Sequence, residues 1–224
     1  MRRLFGKRLS DRDFQTLRKG AEVIERDGDG DKVLRLNDGS FLKLFMVKSR
    51  FSSARFLPYS VRFARNADRL HQLNIPTVKI INCYRIPSIA RTAVHYQPLP
   101  GKTLRQALPL VSEQQRQQLL ADNARLIARM HRLGVYFRSA HLGNIVQQPD
   151  GTLGLIDIAD MRFSFGALKK ELCLRNFCHM ARYEVDVAYL LENNTFPSVY
   201  AEQANNIDAE EVARVIQAGT VNEI

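Results

Sequence analysis

The stretch GVYFRSAHLGNIVQQPDGTLGLIDIADMRF, residues 134 to 163, collects side chains suited to phosphate chemistry. Asn144 follows Gly143 in a polar loop, and Asp157 stands directly behind Leu155 and Ile156. A carboxylate at the end of such an apolar run needs a metal ion or a hydrogen-bonding partner. Phosphoryl transfer needs few parts: a cation on the nucleotide phosphates, Mg2+ on oxygen ligands, and a group that orients the acceptor hydroxyl. Lys43, in FLKLF, offers the cation; Asn144 and Asp157 offer the oxygens. Each has a plainer alternative: an exposed strand lysine, an asparagine capping a turn, and a turn-capping aspartate. Asp160 reads as a loop brace rather than a second metal ligand.

The elements that must position these groups follow from periodicity. Ser10 with Asp13 makes a capping-box-like start for a short helix ending near Gly20. AEVIER, KVLRL and FLKLF alternate like strands and are separated by the turn-forming DGDGD and NDGS, which predicts an antiparallel three-stranded meander over residues 21–46. From Pro58, Val61, Ala64, Leu70 and Leu73 fall at helical spacing, and VKIINCYRI and RTAVHYQPL read as two more strands. Five strands and an inserted helix make a small α+β lobe, residues 1–97. PLPGKT, residues 98–103, forms a tether. Residues 104–224 are predicted to be mainly helical: Ser112 caps a helix of about six turns, NIVQQ and LGLID form a hairpin around Pro149–Asp150–Gly151, CLRNFCHMARYEVDVAYLL reads as one buried helix, and residues 208–218 as a last amphipathic one.

The parts also come in a particular order: hairpin turn, strand lysine, tether, long helix, loop ending in asparagine, hairpin ending in aspartate. HRLGVYFRSAHLGNIV followed by LIDIADMRF, with NIPTV and YQPLPGKTLR upstream, resembles the bacterial lipopolysaccharide kinase family, the Kdo and heptose kinases that include WaaP- and InaA-like proteins. The similarity covers roughly residues 20 to 190. No single element is specific, whereas the ordered set is. The resemblance implies a bilobal protein-kinase-like fold, ATP and Mg2+ as cofactors, and a sugar hydroxyl of an inner-core lipopolysaccharide or similar anionic glycolipid as acceptor. It implies Lys43 on the nucleotide phosphates, Tyr96 in a hinge against the nucleotide, and Asn144 and Asp157 on the metal. It also implies peripheral contact with the cytoplasmic face of the inner membrane.

The departures from that pattern concern the acceptor side. Where the kinase loop H-R-D-L-x-x-x-N carries its catalytic aspartate, five residues before the asparagine, this chain has Ser139. A serine hydroxyl is no general base near neutrality but can orient an acceptor by hydrogen bonding, and His141 could contact the transferred phosphate or act as base instead. In the helix from residue 59 the carboxylate available to pair with Lys43 is Asp68, with Asn66 beside it, and the sequence does not choose between them. Asp27, Asp29 and Asp31 would repel a triphosphate, so the DGDGD tip is expected to bend to solvent; as a calcium loop it lacks the required glycine, Lys32 standing there.

Bulk composition narrows the class. The 224 residues, 45% hydrophobic, suffice for a substantial core. No long apolar run and no signal-peptide pattern appear, and three cysteines (Cys83, Cys173, Cys178) form no disulfide framework, so the expected address is the cytoplasm. Cys173 and Cys178, five apart on a helix and pointing in different directions, read as buried thiols rather than as metal ligands with His179. The net charge of +10 sits in residues 39–112, where twelve Lys and Arg face Asp68 alone. Such a block favours an anionic partner: a nucleotide, a phosphorylated glycolipid or a membrane surface. Nucleic acid rests on charge alone and is disfavoured. The oligomeric state is not set by the sequence.

Overall fold

The structure, a computed structural model, describes residues 6–28, 30–46, 58–204 and 206–219. It is an α+β protein that divides into two compact units between Leu99 and Pro100. Lys48, Arg50 and Arg55 of the basic block, and Asp29 of the hairpin tip, lie outside the described residues.

In the first unit, Ser10 accepts the Asp13 amide and opens α1 (Asp11–Arg18). The meander follows as β2 (Glu22–Asp27), β3 (Gly30–Arg35) and β4 (Phe41–Met46), all antiparallel. Helix α2 (Tyr59–Gln72) leads to β5 (Lys79–Ile86) and β6 (Arg91–Gln97). The expected five-stranded sheet gains a sixth strand, β1 (Lys7–Arg8), parallel to β5, which makes the sheet mixed, in the order β1-β5-β6-β4-β3-β2. Two exposed residues paired through backbone alone carry no side-chain period, so no pattern announces β1.

Strand alternation gives the sheet two apolar faces. Leu42 and Leu44 join Leu9, Phe14, Leu34, Leu36 and Ile86 in a cluster with α1. On the other face Phe45 stacks on Tyr59 and meets Phe63, both from α2. Lys43 lies between Phe41 and Phe45 on β4, paired with Val33 and Val94, and is buried.

The tip is exposed at Asp27, Gly28 and Gly30, and the two described hairpin acids, Asp27 and Asp31, are paired with arginines of the same unit. Arg91, itself buried, donates to the Asp27 carboxylate (3.1 Å) and the Asp31 carbonyl (2.8 Å), while Arg18 and Arg26 hold the Asp31 carboxylate at 2.7 and 3.2 Å.

The second unit begins where the tether was expected to continue. Gly101, at φ +126°, passes so close to Gln147 that a Cβ would stand 1.9 Å from its carbonyl oxygen. This close approach lets β7 (Lys102–Thr103) pair with β9 (Ile145–Gln147), so the end of PLPGKT belongs to a sheet with β9 and β10 (Leu153–Leu155). Helices α3 (Leu104–Ala107) and α4 (Glu113–Arg132) both open on capping boxes, Thr103 with Gln106 and Ser112 with Gln115. A second small ladder pairs β8 (Val135–Tyr136) with β11 (Arg162–Phe163).

The single helix expected over residues 173–191 is two: α5 (Lys170–Met180) and α6 (Glu184–Leu190), separated at extended Tyr183 (φ −122°). No glycine or proline marks the break; the contacts of Asp186, given below, account for it. Helices α7 (Thr195–Gln203) and α8 (Ala209–Ala218) complete the unit. Among the described residues no helix is long and apolar enough to cross a membrane.

The centre of this unit is an aromatic cluster with one polar thread. His131 of α4 faces the Tyr200 hydroxyl through Nδ1 (2.9 Å) and Asn176 Oδ1 through Nε2 (3.1 Å), and Phe177 packs edge-on to Tyr200. Burial pushes the His131 imidazole down to about 4 from 6.5 and the Tyr200 phenol up. The unfolded chain therefore binds a proton at His131 that the native state refuses, and stability falls as pH drops from 6.5 toward 4. This term amounts to roughly 3 kcal/mol. In urea denaturation across this range, His131→Gln should show a distinctly flatter pH dependence than the wild type, and equal slopes would exclude the assignment.

Candidate functional site

The loop between β8 and β9 is fixed at its start and its middle by residues far along the chain. At its start, Asn176 Nδ2 donates to the Phe137 carbonyl (2.7 Å) and Asn176 Oδ1 accepts the Phe137 amide (3.4 Å). At its middle, Asp186 accepts the Leu142 amide (2.9 Å). The Asp186 side chain is 0% exposed and receives both Nε and Nη2 of Arg105 at 2.8 Å, a bidentate pair that holds the guanidinium charged. Arg105 also lies over the Tyr183 ring, 4.2 Å from its centroid. The break before α6 thus places Asp186 in a first helical turn, where its carboxylate reaches the loop. Gly143 permits the approach, since a Cβ there would meet Arg105 Nη1 at 3.0 Å and His141 Nδ1 at 3.1 Å.

Within this frame Ser139, His141 and Asn144 come together. Asn144, 8% exposed, donates through Nδ2 to the Ser139 carbonyl (2.9 Å) and faces His141 Nε2 at 3.1 Å. His141 Nδ1 faces Arg105 Nη2 at 3.4 Å, and Tyr183 packs edge-on to the ring, 5.0 Å away. Burial, then the Arg105 charge, push the imidazole below its usual value, and the negative charges of Asp186 and Asp157 act the other way on the same ring. Both ring nitrogens face donors, and a neutral imidazole can accept from only one: accepting at Nε2 from Asn144, the closer partner, leaves Nδ1–H opposite the Arg105 guanidinium. With that lone pair engaged, His141 braces the loop rather than standing ready to take a proton.

Asp157 ends the hairpin in the left-handed region, φ +52°, a conformation that aspartate tolerates better than most residues. It is half-buried, and the preceding Ile156 amide donates to the Asn144 carbonyl (3.0 Å), tying strand end to loop. With Asn144 Nδ2 committed to the loop, Oδ1 is the other polar atom of this side chain. Among the described residues no group of three or more His, Cys, Asp or Glu could hold a metal. A carboxylate and an amide oxygen with ligand phosphates completing the shell is a set that suits Mg2+.

The remaining expected site residues belong to the first unit. Lys43 is buried, which removes the exposed-lysine alternative. Tyr96 is half-buried, its ring stacked with Phe41 (5.9 Å between centroids) and tilted against Phe63 (5.4 Å), so it packs the sheet against α2. Asp68 is exposed and, with Val61, Arg65 and Ile81, lines a cavity of about 450 Å³. Asn66 is buried and shares the helix face of Tyr59, Phe63 and Leu70, the face that meets Phe45 of β4.

Arg105, Asn176, Tyr183 and Asp186 were not among the expected site residues. Asp186 carried the one readable signal, a lone acid inside the apolar run VDVAYLL. Compared with protein-family models and with curated proteins, the chain matches none.

Proposed function

We propose that the protein is an ATP- and Mg2+-dependent phosphotransferase of protein-kinase-like, bilobal design, acting on a sugar hydroxyl of an anionic envelope glycolipid. The observation that carries this is the second unit's loop cluster: Asn144 with its amide nitrogen held, tied through backbone to the strand end that carries Asp157. Asp157 and Asn144 would hold the metal, which neutralises charge on the phosphates. Lys43 would supply the nucleotide cation. Ser139 would orient the acceptor hydroxyl, and His141, Arg105 and Asp186 act as positioning residues. Because the transition state is loose and positioning with charge stabilisation does most of the work, transfer without a catalytic aspartate is slow but feasible.

A second reading has its own support. Ser139 stands where the base is expected, and the His141 lone pair is already engaged, which suits a nucleotide-binding regulator of envelope assembly. The two separate on one experiment. Thermal unfolding with ATP and Mg2+ should show stabilisation of about 3 kcal/mol at a hundredfold excess over Kd. Transfer from labelled ATP to purified inner-core glycolipid should then be slow in the wild type and about a hundredfold faster in Ser139→Asp. Stabilisation without transfer by either protein favours the regulator; no stabilisation removes both.

A further inference from the structure

The second unit carries a concentrated positive surface outside the metal cluster. Tyr136 donates or accepts at 2.9 Å with His179 Nε2, joining β8 to α5. Four arginines surround this pair. Arg162 stands directly across the ladder from Tyr136. Arg138 follows two residues later, immediately before Ser139; Arg175 lies one helical turn before His179; and Arg182 follows the end of α5, its guanidinium 5.8 Å from the Tyr183 centroid. Their charges converge. Arg175, Arg138 and Arg162 act on the Tyr136 hydroxyl, and Arg138, Arg175 and Arg182 on the His179 ring. All four arginines are exposed, and none pairs with a carboxylate among the described residues, although Arg18, Arg105 and Arg116 all do. No acidic side chain acts on His179.

Four like charges gathered without a counter-ion raise the energy of the folded unit and call for an anion. Guanidinium forks match phosphate oxygens, and a dianion answers four cations better than a carboxylate or a phosphodiester does. We propose that this surface binds phosphomonoester groups already present on the acceptor. The protein then acts after another phosphorylation, on a substrate whose existing phosphate is held beside Ser139. This assignment rests on the phosphotransferase reading for the word acceptor, while the phosphate site itself does not.

The test uses the full chain without ATP. The imidazole titration of His179, assigned by comparison with His179→Gln, is followed by NMR in the presence of inorganic phosphate, glucose 6-phosphate or glucose. Burial and then the arginines hold the His179 pKa down; both phosphates should raise it by screening the arginines, and glucose should leave it unchanged. Arg138→Gln with Arg175→Gln should weaken phosphate binding about tenfold or more while stabilisation by ATP and Mg2+ stays at the wild-type level. A wild-type His179 that ignores both phosphates overturns the site, as does an unchanged phosphate response in the double variant. Binding restricted to phosphatidylglycerol vesicles or mixed-sequence DNA, with no response to glucose 6-phosphate, overturns it in favour of a phosphodiester surface. Phosphate binding as expected, with no acceptor ever labelled, sustains the site and removes the phosphotransferase reading.

Discussion

Asp186→Ala should cost the second unit about 3–5 kcal/mol, the largest stability loss expected of any single substitution near the loop. The residue is 0% exposed and answers three donors: Nε and Nη2 of Arg105 and the Leu142 amide. Removing the carboxylate leaves a guanidinium with 31% exposure uncompensated and a buried amide unpaired. For a protein of this size the melting point should fall by roughly 10 °C. Replacing both partners, Arg105→Met with Asp186→Leu, removes the orphaned charge and should recover part of that stability. It should not restore the loop, because Leu142 remains unanchored. Urea midpoints of the single and double variants check both statements, and a loss below about 1 kcal/mol for Asp186→Ala would place the pair in the class of weak surface bridges.

Asp157→Asn should do the reverse, leaving stability nearly intact and removing function. Asparagine adopts the left-handed conformation as readily as aspartate, so φ +52° is kept and only the charge is lost. A cation that depended on this carboxylate would lose its one anionic protein ligand in the loop cluster. Stabilisation by ATP and Mg2+ should disappear, and phosphotransfer should fall by about a thousandfold, the equivalent of roughly 4 kcal/mol of transition-state stabilisation. If Asp157→Asn keeps both, Asp157 is a turn-forming residue and the metal must be sought elsewhere.

How much of this was legible in the sequence depended on how local each cause is. The Ser112 cap, the period of α4 and the Pro149–Asp150–Gly151 hairpin are written within a few residues of where they act, and the structure has all three. The break between α5 and α6 was hidden because its cause lies in the loop at residue 142 and in Arg105, far from Asp186 in the chain. The charge count misled in an instructive way. The block from 39 to 112 holds the net excess, yet Lys43 and Arg91 are buried, and Arg91 and Arg105 are spent on aspartates within the fold. The four convergent arginines come instead from residues 113–224, which carry eleven basic and fourteen acidic side chains. Net charge over a segment does not report what four separate pieces of backbone bring to one surface. Ser139, His141, Asn144 and Asp157 were readable as a set because two adjacent loops carry them.

The most direct measurement places the metal. With ATP and Mn2+ in place of Mg2+, the paramagnetic ion should broaden the His141 imidazole resonances of the full chain strongly. The broadening should require ATP and vanish in Asp157→Asn. Broadening that is indifferent to ATP or to Asp157→Asn, or a His141 signal that stays sharp while ATP binds, would contradict the assignment of the metal and nucleotide phosphates to this loop.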